Sequence, residues 1–355
     1  MSLNTNLNYK KWVIETLPMD YELLEEIGSG SFGKVFIAQR QDEIYAVKRI
    51  RKNTGKKFVK PLQATTSHIN AIKREIAILK KINHSNCAKL IDAMEDETFY
   101  FLVFPLYKEL DRTTMTIELE YLFNDLFLAI EYIHANNIVH LDIKPDNLLF
   151  DGQKIILCDF GLSELMSATT STSSTSWTKS GTPGFTAPEN LKSSCIAHSD
   201  LLELDKAKAA DMWGFGMTLY YFKYNKLPFE DLNFIDRIEA LTTQEIVLDD
   251  SDLSTVIRGL LAIDITSRFT IETVRQMIST FKNWPALVLF HLNVTSIVQV
   301  TPNEIEYAFN KVQFVATVIK AITRFKRGSK SSQDLNKELD KLQLNKDLDK
   351  IKDEL

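Results

Sequence analysis

The chain has 355 residues, 45% of them hydrophobic and 25% charged, the make-up of a globular protein with apolar material for more than one average domain. A net charge of −5 argues against nucleic acid or an anionic membrane as the main partner, because both require a basic field. Cys87, Cys158 and Cys195 lack metal-ligand spacing and cannot all pair, which suits reduced thiols in a cytoplasmic or nuclear compartment. Met1 to Lys11 is polar, with no apolar core before its lysines, and so does not read as a signal peptide. No apolar run reaches the ~18 residues of a membrane span.

Ile27-Gly28-Ser29-Gly30-Ser31-Phe32-Gly33-Lys34-Val35 sets glycines in a G-x-G-x-x-G-x-V spacing, where missing side chains let backbone N–H groups close over phosphates. An ordinary glycine-rich hairpin reads the same way in isolation. The alternating run Ile44-Tyr45-Ala46-Val47-Lys48 predicts a strand ending in a lysine. Residues 51–70, with Arg51, Lys52, Lys56, Lys57, Lys60 and Pro61, read as a basic inserted loop. From Ala71 to Lys80 the spacing predicts a helix that buries Ile72, Ile76 and Leu79. Glu75 stands beside that face, as a partner for Lys48 or as a surface glutamate paired with Lys73 or Lys80. Phe99 to Phe104 reads as a buried strand.

The most informative stretch is Ile138-Val139-His140-Leu141-Asp142-Ile143-Lys144-Pro145-Asp146-Asn147. Within six residues it supplies Asp142 to accept a hydroxyl proton, Lys144 to neutralise a phosphate and Asn147 to hold a metal ion. Ile155-Ile156-Leu157-Cys158 predicts a short buried strand, with Cys158 as a small apolar member, and Asp159-Phe160-Gly161 ends it. A serine- and threonine-rich segment at 163–180 leads to Gly181-Thr182-Pro183, Ala187-Pro188-Glu189, Asp211-Met212-Trp213-Gly214-Phe215-Gly216 and Arg268. Between Lys311 and Arg327, Val315, Val318, Ile319 and Ile322 share one helical face beside Lys320, Arg324, Lys326 and Arg327. Such a basic amphipathic helix either enters a methionine-rich groove, as calmodulin targets do, or packs on the rest of the protein. Residues 329–355 alternate charge around leucines as an amphipathic or unfolded tail. Their final Lys352-Asp353-Glu354-Leu355 spells a retrieval signal that is read here only as the tail's end.

In this order the stretches resemble the glycine-loop, V-A-I-K, H-R-D-x-x-x-x-N, D-F-G, A-P-E and D-x-W-x-x-G motifs of protein kinases. The resemblance implies an α+β, two-lobed protein kinase fold: an extension at 1–20, a small lobe at 21–107, a large lobe at 108–284, a regulatory or packing segment at 285–328 and a charged tail at 329–355. It implies ATP with Mg²⁺, or Mn²⁺ as the alternative, and serine or threonine hydroxyls of proteins as acceptors. Ile27, Gly28, Ser29, Gly30, Ser31, Phe32 and Gly33 would cover the phosphates, and Val35, Ala46 and Leu149 would enclose adenine. Phe104, Pro105 and Tyr107 would line its edge, with the Tyr107 N–H as donor. Lys48, held by Glu75, would contact the phosphates, and Asn147 and Asp159 would bind the metal. Asp142 would be the base, with Lys144 and Thr182 beside it, and Arg268 would pair with Glu189.

The likeness is most specific to the calcium/calmodulin-dependent protein kinase kinases and the fungal kinases upstream of AMP-activated kinase. It rests on Glu75 to His84, Lys208 to Phe229 and Val300 to Glu306. That implies other kinases as substrates; an active kinase of another group and a pseudokinase scaffold are the alternatives. One departure stands out. Leu141 occupies the place of the arginine before the aspartate, so a phosphate in the 163–180 segment would lack that partner.

Overall fold

A computed structural model of the chain describes residues 15–17, 20–30, 33–52, 61–96, 98–110, 118–166, 182, 184–191, 201–281, 300–306 and 308. The candidate calmodulin segment 311–327, the 329–355 tail, the 167–181 stretch and Ser31 and Phe32 lie outside the described residues. The described residues divide into two units, one within 15–76, 90–106 and 301–308, the other within 77–89 and 107–300.

The first unit is built on an antiparallel sheet. Its strands are β1 (Glu15–Thr16), β2 (Glu22–Gly30), β3 (Gly33–Arg40), β4 (Glu43–Arg51), β5 (Asp92–Glu95) and β6 (Phe99–Pro105). They lie in the order β1-β2-β3-β4-β6-β5. Side chains alternate between the faces of a strand, and here Leu23, Phe36, Ala38, Val47, Met94, Phe101 and Val103 share one buried cluster with Leu17 and Tyr21. Pro105 closes β6 at its end, where a residue without an N–H costs the ladder least.

Helix α1 runs over Pro61–Lys81, ten residues longer at its start than the spacing from Ala71 predicts. The reading of 51–70 as an inserted loop is thus corrected at both ends, since Arg51 closes β4 and 61–70 is helical, while 53–60 lie outside the described residues. The physical reason is local: Pro61 suits a first helical turn, and Leu62, Gln63 and Ala64 favour helix, signals that the cluster of cations masks. Ile72, Ile76 and Leu79 are buried at the predicted spacing. Beyond the second unit the chain adds α8 (Pro302–Glu306), begun by a reciprocal cap in which Glu304 N donates to Thr301 Oγ1 at 3.2 Å and Thr301 N to Glu304 Oε2 at 2.8 Å.

The second unit is mainly helical. Its elements are β7 (Lys108–Glu109), α2 (Leu119–Ala135), β8 (Ile138–Val139), β9 (Leu148–Phe150), β10 (Ile155–Leu157), β11 (Glu164–Leu165), α3 (Pro188–Leu191), α4 (Glu203–Tyr224), α5 (Phe234–Thr243), α6 (Asp252–Leu260) and α7 (Ile271–Ile278). Strands β10-β9-β7 form one small sheet and β11-β8 another. Phe123 of α2 stacks on Phe215 of α4 with ring centroids 5.5 Å apart, and Trp213 of α4 is fully buried. At Gly216 of α4 an added methyl would stand 2.8 Å from Leu260 Cβ and 2.8 Å from Leu261 Cδ2, so glycine is what lets α6 come this close. Cys158 lies one residue past the end of β10 and is half-buried, a correction to its expected place on the strand. Its N–H turns instead to Asn147 O at 2.9 Å. A β-rich unit with one long helix and a helical unit together make the α+β, two-lobed arrangement that the resemblance implies.

Candidate active site

In the first unit, register sets the face. Val35 pairs with Lys48 across β3 and β4, and Ala46 with Phe104 across β4 and β6. Because residues two apart on a strand share a face, Val35, Ala46, Lys48 and Phe104 point to the same side. Val35, Ala46, Phe104 and Pro105 are all half-buried. Lys48 Nζ stands 3.3 Å from Glu75 Oε1, and Glu75 is buried, so the carboxylate that the sequence offers to either Lys48 or the surface lysines lies against Lys48. The hairpin brings Gly28 opposite Val35, Ser29 opposite Lys34 and Gly30 opposite Gly33, with Ile27 exposed. Gly33 adopts φ +144°, and a Cβ there would stand 2.3 Å from the Arg49 carbonyl oxygen, so no side chain fits.

In the second unit, the loop after β8 is held from below by one buried carboxylate. Asp211, from α4, accepts from His140 N at 2.8 Å and Leu141 N at 2.7 Å, and its Oδ2 lies 2.9 Å from His134 Nε2. Leu141 adopts φ +66°, a left-handed conformation that costs a non-glycine residue roughly 1–3 kcal/mol and persists only where its surroundings impose it. The Asp211 bonds impose it. The Leu141 side chain is buried with Val139, Leu204 and Ala207, so this position serves packing.

Asp142 follows and is nearly buried. Its Oδ1 accepts from Thr182 Oγ1 at 2.8 Å, and its Oδ2 lies 2.8 Å from Lys144 Nζ and 3.1 Å from Asn147 Nδ2. Lys144 also donates to Thr182 Oγ1 at 2.5 Å, so that hydroxyl receives from the lysine and gives to the aspartate. The set holds a carboxylate and an ammonium side by side, each aimed by a third group.

Asn147 Nδ2 also donates to the Asp142 carbonyl at 2.7 Å. With both amide hydrogens engaged, the side chain is oriented and its Oδ1 is presented as an oxygen donor. Asp159 adopts φ +59° at the start of the Phe160–Leu162 turn. Among the described residues no group of three or more His, Cys, Asp or Glu could hold a metal. Asn147 and Asp159 each carry a side-chain oxygen, the ligand type that a hard divalent cation takes together with water and phosphate oxygens. Tyr107 and Leu149 are half-buried, and burial raises the Tyr107 hydroxyl above its ordinary pKa against the opposing hydrogen bond at Lys89.

Glu189 and Arg268 meet in a fork, at 2.7 and 2.9 Å. The remaining Arg268 donors reach the carbonyls of Ala262, Ala209 and Ile263, so all five N–H groups of this buried guanidinium are matched. The bracing role of Asp211 is absent from the sequence reading, although a mid-helix aspartate flanked by apolar residues is a signal for it, since aspartate is a poor helix former.

A family model described as the protein kinase domain matches residues 21–278. The chain is 29% identical over 346 residues to a calcium/calmodulin-dependent protein kinase kinase of Caenorhabditis elegans, covering 86% of this chain and 61% of the relative. It is 30% identical over 238 residues to a calcium/calmodulin-dependent protein kinase type 1 of the same organism, covering 61% of this chain and 59% of the relative. Against the serine/threonine-protein kinase TIO of Arabidopsis thaliana the identity is 27% over 270 residues, 72% of this chain and 19% of the relative. The chain thus spans from about a fifth to three fifths of the length of these relatives.

Proposed function

The chain belongs to the protein kinase family, and from that premise we propose that it transfers the γ-phosphoryl group of ATP to serine or threonine hydroxyls of proteins, among them the activation loops of other kinases. The observation that carries the chemistry is the Asp142 cluster, in which one carboxylate is bonded by Thr182, Lys144 and Asn147 together. Asp142 accepts the proton of the attacking hydroxyl, and Lys144 offsets charge on the phosphoryl oxygens. Lys48, fixed by Glu75, positions the α- and β-phosphates, and the backbone from Ile27 to Gly33 covers them. Val35, Ala46, Phe104, Pro105, Tyr107 and Leu149 supply the apolar surfaces and backbone groups for adenine. Asn147 and Asp159 would hold Mg²⁺, which neutralises phosphate charge when bound. Support for kinases as substrates comes from a relative named as a kinase kinase.

The test is phosphotransfer by the purified chain with ATP and Mg²⁺ to a panel of inactivated kinases, with the modified residues mapped. Phosphate on activation-loop serine or threonine is the expected result. Transfer to other proteins alone would leave an active kinase of another group, and nucleotide binding without any transfer would leave the scaffold reading.

Leu141 carries a regulatory expectation. Its side chain is buried among apolar neighbours and offers no donor to a phosphate. Turnover is therefore expected to persist after phosphatase treatment, or with Thr175, Ser176, Thr178 and Ser180 all changed to alanine. A tenfold drop, about 1.4 kcal/mol of barrier, would show that another cation takes the phosphate.

We also propose 311–327 as a calmodulin contact, supported by its basic amphipathic pattern and by two relatives named as calcium/calmodulin-dependent. Titration of a peptide spanning it with calcium-loaded calmodulin is expected to saturate at micromolar concentration. Failure to saturate would leave a packing helix.

A further inference from the structure

We infer that Arg237 forms a cationic subsite for an anionic side chain of the protein substrate, within a few residues of the accepting hydroxyl; this rests on the kinase reading above. Arg237 lies in α5, and its Nε and Nη2 are buried with no hydrogen-bond partner. Leaving buried donors unmatched is costly, more so on a charged group. This fold can satisfy a buried guanidinium, as Arg268 demonstrates with five matched donors. At Arg237 it does not.

Two of the acids close by in sequence are used elsewhere. Asp236 Oδ2 accepts from Asn233 Nδ2 at 2.6 Å, within the cap that starts α5, and Glu230 Oε2 accepts from Leu227 N at 3.1 Å. The unmatched edge faces the backbone at Gly184. A Cβ built on Gly184 would stand 3.5 Å from Arg237 Nη2 and 3.3 Å from Leu227 Cδ1, and its φ of +103° is one that side-chain-bearing residues avoid. Glycine thus lets the segment come close to the guanidinium without filling the space beside it. Gly184 follows Thr182 by two residues, at most about 7 Å of extended chain. Thr182 in turn donates to Asp142, the proposed proton acceptor. The unmatched donors therefore stand beside the segment that leads on from Thr182, within a few residues' span of the place where the substrate hydroxyl must sit.

Arg237 as a whole remains partly exposed, and a ligand that engages Nε and Nη2 must move aside what covers them. A planar fork of donors is best matched by the two oxygens of a carboxylate or by a phosphate. Aspartate, glutamate and phosphoserine share the required chemistry.

The test uses the full chain and a set of peptides with one serine acceptor in an alanine background. Aspartate, phosphoserine or lysine is placed in turn at each of the three positions on either side. Both kcat/KM and binding by fluorescence anisotropy are measured for wild type, Arg237→Met and Arg237→Glu. Wild type is expected to favour an anion at one position by about tenfold over alanine, roughly 1.4 kcal/mol. Arg237→Met should bring that ratio close to one, and Arg237→Glu should turn the preference toward lysine at the same position. The aspartate and phosphoserine arms separate the two sources of the anion.

Turnover without any anion preference would overturn the subsite while sparing the kinase reading. Arg237-dependent binding of the anionic peptide without turnover would do the reverse. An anion-to-alanine ratio that is the same in wild type and Arg237→Met would also overturn it. Because methionine removes unmatched donors while keeping the stem, its thermal midpoint should equal or exceed that of wild type. A variant that fails to fold is replaced by Arg237→Lys, in which the charge stays but the fork is lost; an undiminished preference for phosphoserine and aspartate there would count against the fork.

Discussion

Asp142→Asn is expected to lower phosphotransfer by about 10²–10⁴-fold, the usual cost of removing a general base. The amide retains an acceptor for Thr182 but turns a donor toward Lys144 Nζ and Asn147 Nδ2, which lie 2.8 and 3.1 Å from Asp142 Oδ2. The loop itself stays in place, because Asp211 holds the backbone of His140 and Leu141 independently of the Asp142 side chain. The loss should therefore fall on the chemical step. Single-turnover transfer combined with nucleotide affinity reads this directly: turnover close to wild type would remove Asp142 from the role of base.

Glu189→Ala acts on the fold. Breaking a buried ion pair by removing one partner costs about 3–5 kcal/mol, because the other charge remains buried. The Arg268 side chain is fully buried, and it would retain carbonyl acceptors from Ala262, Ala209 and Ile263 while losing both oxygens of its fork. At about 2–4 °C per kcal/mol for a domain of this size, the midpoint should fall by roughly 6–20 °C. Arg268→Met with Glu189→Ala should cost less than the sum of the two single changes, since neither charge is then stranded. An unchanged unfolding midpoint in Glu189→Ala would show that the pair contributes nothing to stability.

The sequence by itself determined what depends on neighbours in the chain. Ile72, Ile76 and Leu79 recur at helical spacing and are buried on α1, and alternating residues such as Phe36 and Ala38 or Phe101 and Val103 go into the core of the sheet. Asp142, Lys144 and Asn147 lie within six residues, so one loop was enough to put them in reach of each other. The start of α1 was legible only in part, because Pro61 and its helix-forming neighbours sit beside cations that read as loop.

What the tertiary structure decided are pairings across long stretches of chain. Asp211 reaches back 70 residues to the Leu141 N–H, Thr182 stands 40 residues from Asp142, and Arg268 stands 79 from Glu189. No short-range period encodes such distances; they follow from how helices and loops pack. Arg268 and Arg237 make the same point together. Each is one arginine in a mixed sequence, yet burial gives one a full set of acceptors and leaves the other with buried donors unmatched. A guanidinium carries five donors wherever it stands, and only the folded surroundings determine how many acceptors meet them.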